Sequence, residues 1–206
     1  MRGKFITVEG TEGVGKSTNM AFVENYLKQA GIDVIVTREP GGTPLSEKIR
    51  DMLLDARQVA ICEDTELLMM FAARAQHLNE LIIPALQRGQ WVLCDRFTDA
   101  SYAYQGGGRG IDESRIAELE QWVQGDLRPD LTLLLDMPID EGLERAGKRS
   151  SPDRFEQEQK DFFEKVRQCY LQRANHFPER FRIIDARPAI EHVQKQITGV
   201  LEPLIK

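Results

Sequence analysis

One eight-residue loop constrains this chain more than any other stretch. Gly10-Thr11-Glu12-Gly13-Val14-Gly15-Lys16-Ser17 fits G-x-x-x-x-G-K-[ST] and directly follows the strand-like run Lys4-Phe5-Ile6-Thr7-Val8-Glu9. A helical segment, Lys16 to Gln29, comes next, so strand, loop and helix stand in the order a phosphate cradle requires. Glycines let successive backbone N–H groups point into one concavity. Lys16 brings a compact positive charge toward the outer phosphates, and Ser17 offers a hydroxyl to Mg²⁺. The expected ligand is a nucleoside triphosphate.

Four more short apolar runs follow: Ile32 to Arg38, Gln90 to Asp95, Leu131 to Asp136 and Phe181 to Asp185. They lack clean polar alternation and are separated by helical stretches, which predicts strands buried on both faces of a parallel sheet. The helical stretches are Leu45 to Leu54, Asp64 to Arg88 with an interruption near Pro84, Asp112 to Gln124, Ile139 to Lys148, Asp161 to Phe177 and Ala189 to Leu204. The pattern is α/β: a doubly wound, three-layer domain covering residues 1–206. Gly106-Gly107-Gly108-Arg109-Gly110 and Arg149 to Pro152 read as mobile loops.

With 27 basic against 33 acidic residues the chain carries a formal charge of −6, which argues against a general nucleic-acid surface. A polyanionic small molecule must then be met by local cations. Cys62, Cys94 and Cys169 are odd in number, far apart and not in a CxxC arrangement, so neither a disulfide framework nor a zinc site is expected. No apolar signal segment opens the sequence and no run approaches a bilayer-spanning length, so a cytoplasmic protein without membrane partners is expected.

Ligands of open parallel sheets bind beyond the carboxyl ends of the strands, and these ends are eventful here. Asp95-Arg96 ends the third run, where an aspartate can engage Mg²⁺ through water and an arginine can fork onto a second phosphate. Phe71 and Arg74 share a helix face; such a pair can stack on a base and read its edge, although an aromatic at helical spacing is more often core. Tyr104-Gln105 is similarly ambiguous. Arg145 to Lys160 gathers Arg145, Lys148, Arg149, Arg154 and Lys160 around Ser150-Ser151-Pro152, and reads either as a solvated charged hairpin or as a lid. The phosphate loop favours the lid, because between Gly10 and Lys16 it carries an acid, Glu12, and no second cation. Positive charge for a phosphoryl-transfer transition state must come from elsewhere. His77, His176 and His192 have neither metal-like spacing nor a nucleophile partner and are assigned no chemistry.

Taken together the motifs resemble those of the thymidylate kinase family in its bacterial form. The resemblance rests on Val8 to Ser17, Thr37-Arg38-Glu39-Pro40-Gly41-Gly42-Thr43, Phe71-Ala72-Ala73-Arg74, Asp95-Arg96-Phe97, Ala103 to Gly110, Pro129 to Asp136 and Asp153-Arg154-Phe155-Glu156. It implies a P-loop NTPase fold with a five-stranded parallel sheet and a short lid at about 145–160. The implied activity is Mg²⁺-assisted, ATP-dependent conversion of dTMP to dTDP on the way to dTTP, by a homodimer. Residue by residue it implies that Lys16, Arg96, Arg154 and Glu12 act in catalysis. Gly10, Thr11, Glu12, Gly13, Val14, Gly15, Lys16, Ser17, Thr18 and Arg149 would hold ATP, with Ser17 and Asp95 toward the metal. For the acceptor it implies Phe71 stacked on thymine, Arg74 on the base edge and Arg96 on the phosphate, with Glu39, Pro40, Ser101, Tyr104 and Gln105 completing the pocket. Arg154 would be the lid arginine that substitutes for a basic loop residue. Phe97 departs from the tyrosine or histidine usual in the family, so a hydrogen bond from that position is absent. A kinase for another monophosphate or for a deoxynucleoside, and a nucleotide-dependent switch or assembly ATPase, are the rival readings; a GTP switch is disfavoured because no Asn-Lys-x-Asp motif occurs.

Overall fold

The computed structural model describes residues 2–55, 61–147, 154–156 and 158–205. Strands β1 (Phe5–Glu9), β2 (Val34–Arg38), β3 (Trp91–Asp95), β4 (Leu131–Asp136) and β5 (Phe181–Asp185) pair in parallel in the order β2-β3-β1-β4-β5. Among the described residues these form the expected five-stranded sheet. Every residue of β1 is buried, and β4 is buried until Asp136, as strands with neighbours on both sides should be. The edge strands differ. Val36 in β2 and Ile183 in β5 are exposed, because an edge strand is covered on one side only.

Side chains alternate across the sheet. Ile6, Val8, Leu133 and Leu135 face one layer with Val23 and Leu27 of α1 (Lys16–Gln29) and Ile197 and Leu201 of α9 (Ile190–Ile205). Leu134 and Phe181 face the other layer, with Phe71 of α3 (Glu63–His77) and Phe163, Val166 and Tyr170 of α8 (Lys160–His176). The remaining helices are α2 (Pro44–Leu54), α4 (Ile83–Gln87), α5 (Thr98–Ser101), α6 (Glu113–Gln124) and α7 (Ile139–Ala146).

Two departures from the sequence reading have local causes. The second strand starts at Val34 and not at Ile32, because α1 ends in a Schellman cap. Gly31 takes φ +79°, its N–H donates to the Lys28 carbonyl (3.0 Å), and the Ile32 N–H donates to the Leu27 carbonyl (3.0 Å). The glycine run at 106–110 is no mobile loop through its first half: Tyr102–Gly108 is a π-helical segment packed on α8. A Cβ on Gly107 would lie 2.8 Å from the Cys169 Cβ, and one on Gly108 would lie 2.4 Å from the Phe162 ring, so bare backbone is what brings the two helices together. A second π-helical segment, Leu78–Ile82, precedes Pro84 and absorbs the expected interruption.

Candidate active site

The carboxyl ends of β1 and β3 are adjacent, and two loops leave there. After β1 the chain enters the glycine loop with Gly10, Gly13 and Gly15 all at positive φ. A Cβ on Gly10 would sit 2.4 Å from the Leu135 carbonyl oxygen, and one on Gly13 would sit 1.8 Å from that of Gly142, so the loop lies flat against β4 and α7. Helix α1 then opens with neither an acid in its first turn nor a side-chain cap, leaving its first N–H groups for an anion. Lys16 Nζ donates to the carbonyls of Thr11 (3.0 Å) and Gly10 (3.2 Å) across the cradle. Desolvation, and then the charge of Arg96, push its ammonium below the ordinary value.

After β3, Arg96 takes φ +66°, the left-handed region that a residue with a Cβ adopts at a cost of about 1–3 kcal/mol. Its N–H donates to the Val8 carbonyl (3.0 Å), tying this turn to β1. Its Nη2 donates to Glu12 Oε1 (2.7 Å), the Tyr104 hydroxyl donates to Glu12 Oε2 (2.7 Å), and the guanidinium lies 4.6 Å from the Tyr104 ring centroid. Arg96 Nη1 is buried without a hydrogen-bond partner among the described residues. Arg96, Glu12 and Tyr104 thus form one cluster.

A cavity of about 260 Å³ runs from the glycine loop past this cluster to Arg74. Glu39, Pro40, Ser101 and Gln105 line it, as expected, and Ser17 and Asp95 stand at its phosphate end. Arg74 is fixed at its far end: Nε donates to Glu39 Oε2 (2.7 Å), and Nη2 donates to the Phe97 carbonyl (3.2 Å) and Ser101 Oγ (3.1 Å). Its Nη1 is buried and has no partner among the described residues. The wall beside Arg74 is Met70. Phe71 is 2% exposed, lies under the Arg74 guanidinium at 4.6 Å, and belongs to the apolar core.

Arg154 is not among the residues lining the cavity, although Phe155 and Glu156, which follow it, are. Its Nη2 is 2.7 Å from Glu66 Oε2, its Nε donates to the Leu53 carbonyl (2.8 Å), and its guanidinium covers the Phe155 ring at 4.4 Å. Glu66 is buried and also receives Gln105 Nε2 (2.8 Å), which holds Gln105 in place. Thr18 is exposed on α1, away from the cavity lining, and Arg149 lies outside the described residues. Sequence reasoning passed over Arg50 of α2, which lines the cavity and donates to the Pro40 carbonyl (2.9 Å). Its one available signal was position: α2 starts directly after the Glu39-Pro40 loop.

Glu9, beneath this floor, is fully buried; its carboxyl accepts from the Phe97 N–H and the Tyr170 hydroxyl, both at 2.7 Å. Burial, and next the negative charge of Asp99, push its pKa up to about 8. A carboxyl raised in the folded state contributes stability that is fully present below its unfolded value near 4.5 and is lost as pH rises to about 8. Glu9→Gln removes this dependence. The melting temperature of the wild type relative to Glu9→Gln is expected to fall between pH 5 and 8, and a constant difference would contradict the assignment.

A phosphate cradle at a sheet's switch point, with a second cation-lined cavity beside it, defines a P-loop phosphotransferase. The thymidylate kinase family model matches residues 8–197. Thymidylate kinases of Ectopseudomonas mendocina (strain ymp) and Pseudomonas putida (strain F1) are 57% and 58% identical over 206 residues, covering 100% of this chain and 98% of each relative. The crystal structure of thymidylate kinase from Ehrlichia chaffeensis superposes with a TM-score of 0.81 at 32% identity, covering 98% of this chain and 100% of that one. The chain belongs to the thymidylate kinase family.

Proposed function

We infer that this chain transfers the γ-phosphoryl group of ATP to dTMP, giving dTDP, with the donor on the glycine loop and the acceptor in the cavity between Arg96 and Arg74. The observation that supports this placement is a pair of unspent donors: Arg96 Nη1 and Arg74 Nη1 are both buried without partners among the described residues, one beside the phosphate loop and one at the far end of the cavity. The first suits a phosphate and the second the carbonyl edge of a pyrimidine, with Met70 as the apolar wall beside it. Arg50 would add a further cation on the acceptor side.

An acceptor phosphate monoester is largely ionised near neutral pH, so no general base is needed. The residues' work is positioning: Lys16 and the α1 N-terminus orient the donor, and Arg96 aligns the acceptor oxygen for in-line attack. Arg154 supplies charge to the transferred group by exchanging Glu66 for phosphate oxygens. The donor set fits Mg²⁺. Asp95 Oδ1 is buried without a hydrogen-bond partner among the described residues and the Ser17 hydroxyl lines the same end of the cavity, so these two would hold the ion together with phosphate oxygens. When bound, the ion neutralises charge on the phosphates. Among the described residues no helix is long and apolar enough to cross a membrane. A cytoplasmic homodimer is the expected state, packed through the apolar part of Asp64 to Leu81, where Leu68 is 55% exposed.

A product assay over a panel of monophosphates with ATP and Mg²⁺ tests the reading. dTMP should be the preferred acceptor by at least about tenfold over dCMP, since an Arg donor facing an amino group is left unpaired. A preference for dAMP or dGMP would overturn it.

A further inference from the structure

His77 is assigned no chemistry by its spacing, yet it is fully buried in the last turn of α3 and touches the acceptor machinery. Its Nδ1 lies 3.0 Å from Glu39 Oε1 while Arg74 Nε donates to Oε2 of the same carboxylate. Its Nε2 lies 2.7 Å from Thr37 Oγ1. Because a carboxylate oxygen only accepts, Nδ1 carries a proton in this arrangement, and in the neutral ring the Thr37 hydroxyl donates to Nε2. The turn after β2 is shaped around this ring: a Cβ on Gly42, at φ +84°, would fall 2.4 Å from both His77 Nε2 and Thr37 Oγ1.

We propose that His77 is a positioning residue for the acceptor base. Held at both oxygens by different donors, the Glu39 carboxylate cannot rotate without losing one of them. Arg74 is in turn held through Nε by Glu39 and through Nη2 by Phe97 and Ser101, and only Nη1 remains for a ligand. The chain Thr37–His77–Glu39–Arg74 thus sets the rotation of the guanidinium that reads a pyrimidine carbonyl. The inference rests on the reading of Arg74 as the base-edge donor.

Two near-isosteric variants separate positioning from packing. In His77→Asn the side-chain amide nitrogen occupies the place of the ring Nδ1, which keeps the bond to Glu39 and loses the one to Thr37. In His77→Gln the amide reaches the place of Nε2 and does the reverse. Steady-state kinetics should show the dTMP KM raised about tenfold or more in His77→Gln and less than about threefold in His77→Asn. The ATP KM should stay within about twofold of wild type in both. Equal dTMP KM values in the two variants, or effects that follow only the loss of melting temperature, would overturn the proposal. Arg74→Gln is the control: if it leaves the dTMP KM unchanged, the base-edge reading itself fails, whereas a rise there with no difference between the His77 variants sinks only the positioning role. Should His77→Gln not fold, ¹⁵N-histidine NMR of the wild type decides the matter. A proton on Nδ1 of His77 supports the proposal and a bare Nδ1 overturns it.

Discussion

Arg96→Ala is expected to raise the dTMP KM by about 10²-fold or more and to lower kcat as well, while the ATP KM changes little. The effect is electrostatic. Wild-type Arg96 satisfies Glu12 Oε1 at 2.7 Å and still has Nη1 to offer a phosphate. Alanine removes both services at once: Glu12 keeps the Tyr104 hydroxyl but loses its cation, and a carboxylate then faces the incoming phosphate. Lys16 and Arg50 still line the cavity, so positive charge where the acceptor must settle is weakened and not abolished. Arg96→Lys separates charge from geometry, because an ammonium restores the charge without the planar fork. Kinetics with each substrate varied in turn, alongside thermal melting, would check this; a dTMP KM within about threefold of wild type would remove Arg96 from the acceptor clamp. The left-handed φ of Arg96 gives the melting experiment its own interest, since a residue without a Cβ relieves that strain and Arg96→Gly should melt higher than Arg96→Ala.

Arg154→Ala should lose about 10³-fold in kcat with the dTMP KM within about threefold of wild type, the signature of an interaction made in the transition state. The structure holds the guanidinium on Glu66, the Leu53 carbonyl and the Phe155 ring. Glu66 does not become an orphan when Arg154 is removed, because Arg109 Nη2 is 3.3 Å from its Oε2 and Gln105 donates to its Oε1. The fold and the acceptor pocket should therefore survive, and the loss should fall on the chemical step. Single-turnover phosphoryl transfer measured with both substrates saturating is the direct check. The opposite split, an intact kcat with a dTMP KM raised about tenfold, would move the role of Arg154 to holding Gln105 through Glu66.

The glycine-loop half of the candidate site was legible because its signal is local: strand, glycines, Lys16 and helix are consecutive. Asp95-Arg96 was readable for a similar reason, as a charged pair at a strand end in a parallel sheet. The acceptor half was harder. Met70 and Phe71 are successive residues on α3 and point about 100° apart, so which of them meets the cavity depends on where the helix is rotated. That rotation depends on tertiary partners: Leu67 and Phe71 pack into the core, and Arg74 and His77 bond to Glu39, on a loop far away in sequence. No period within α3 carries this information. Resemblance placed Phe71 on the base, whereas the cavity beside Arg74 is walled by Met70. The glycines at 106–108 misled for the opposite reason: composition alone signals a loop, and only the rings and backbone of α8 reveal that they permit a close helix approach.

The contact between Gly13 and Gly142 has a genetic consequence. A Cβ on Gly142 would fall 2.7 Å from the Glu12 carbonyl oxygen, and one on Gly13 would fall 1.8 Å from the Gly142 carbonyl oxygen, so neither position has room for a methyl group. Gly142 belongs to no motif and is not among the residues lining the cavity. In a saturation screen for loss of function it should nonetheless group with the phosphate loop, its alleles behaving as lesions of the cradle it never shares a sequence segment with.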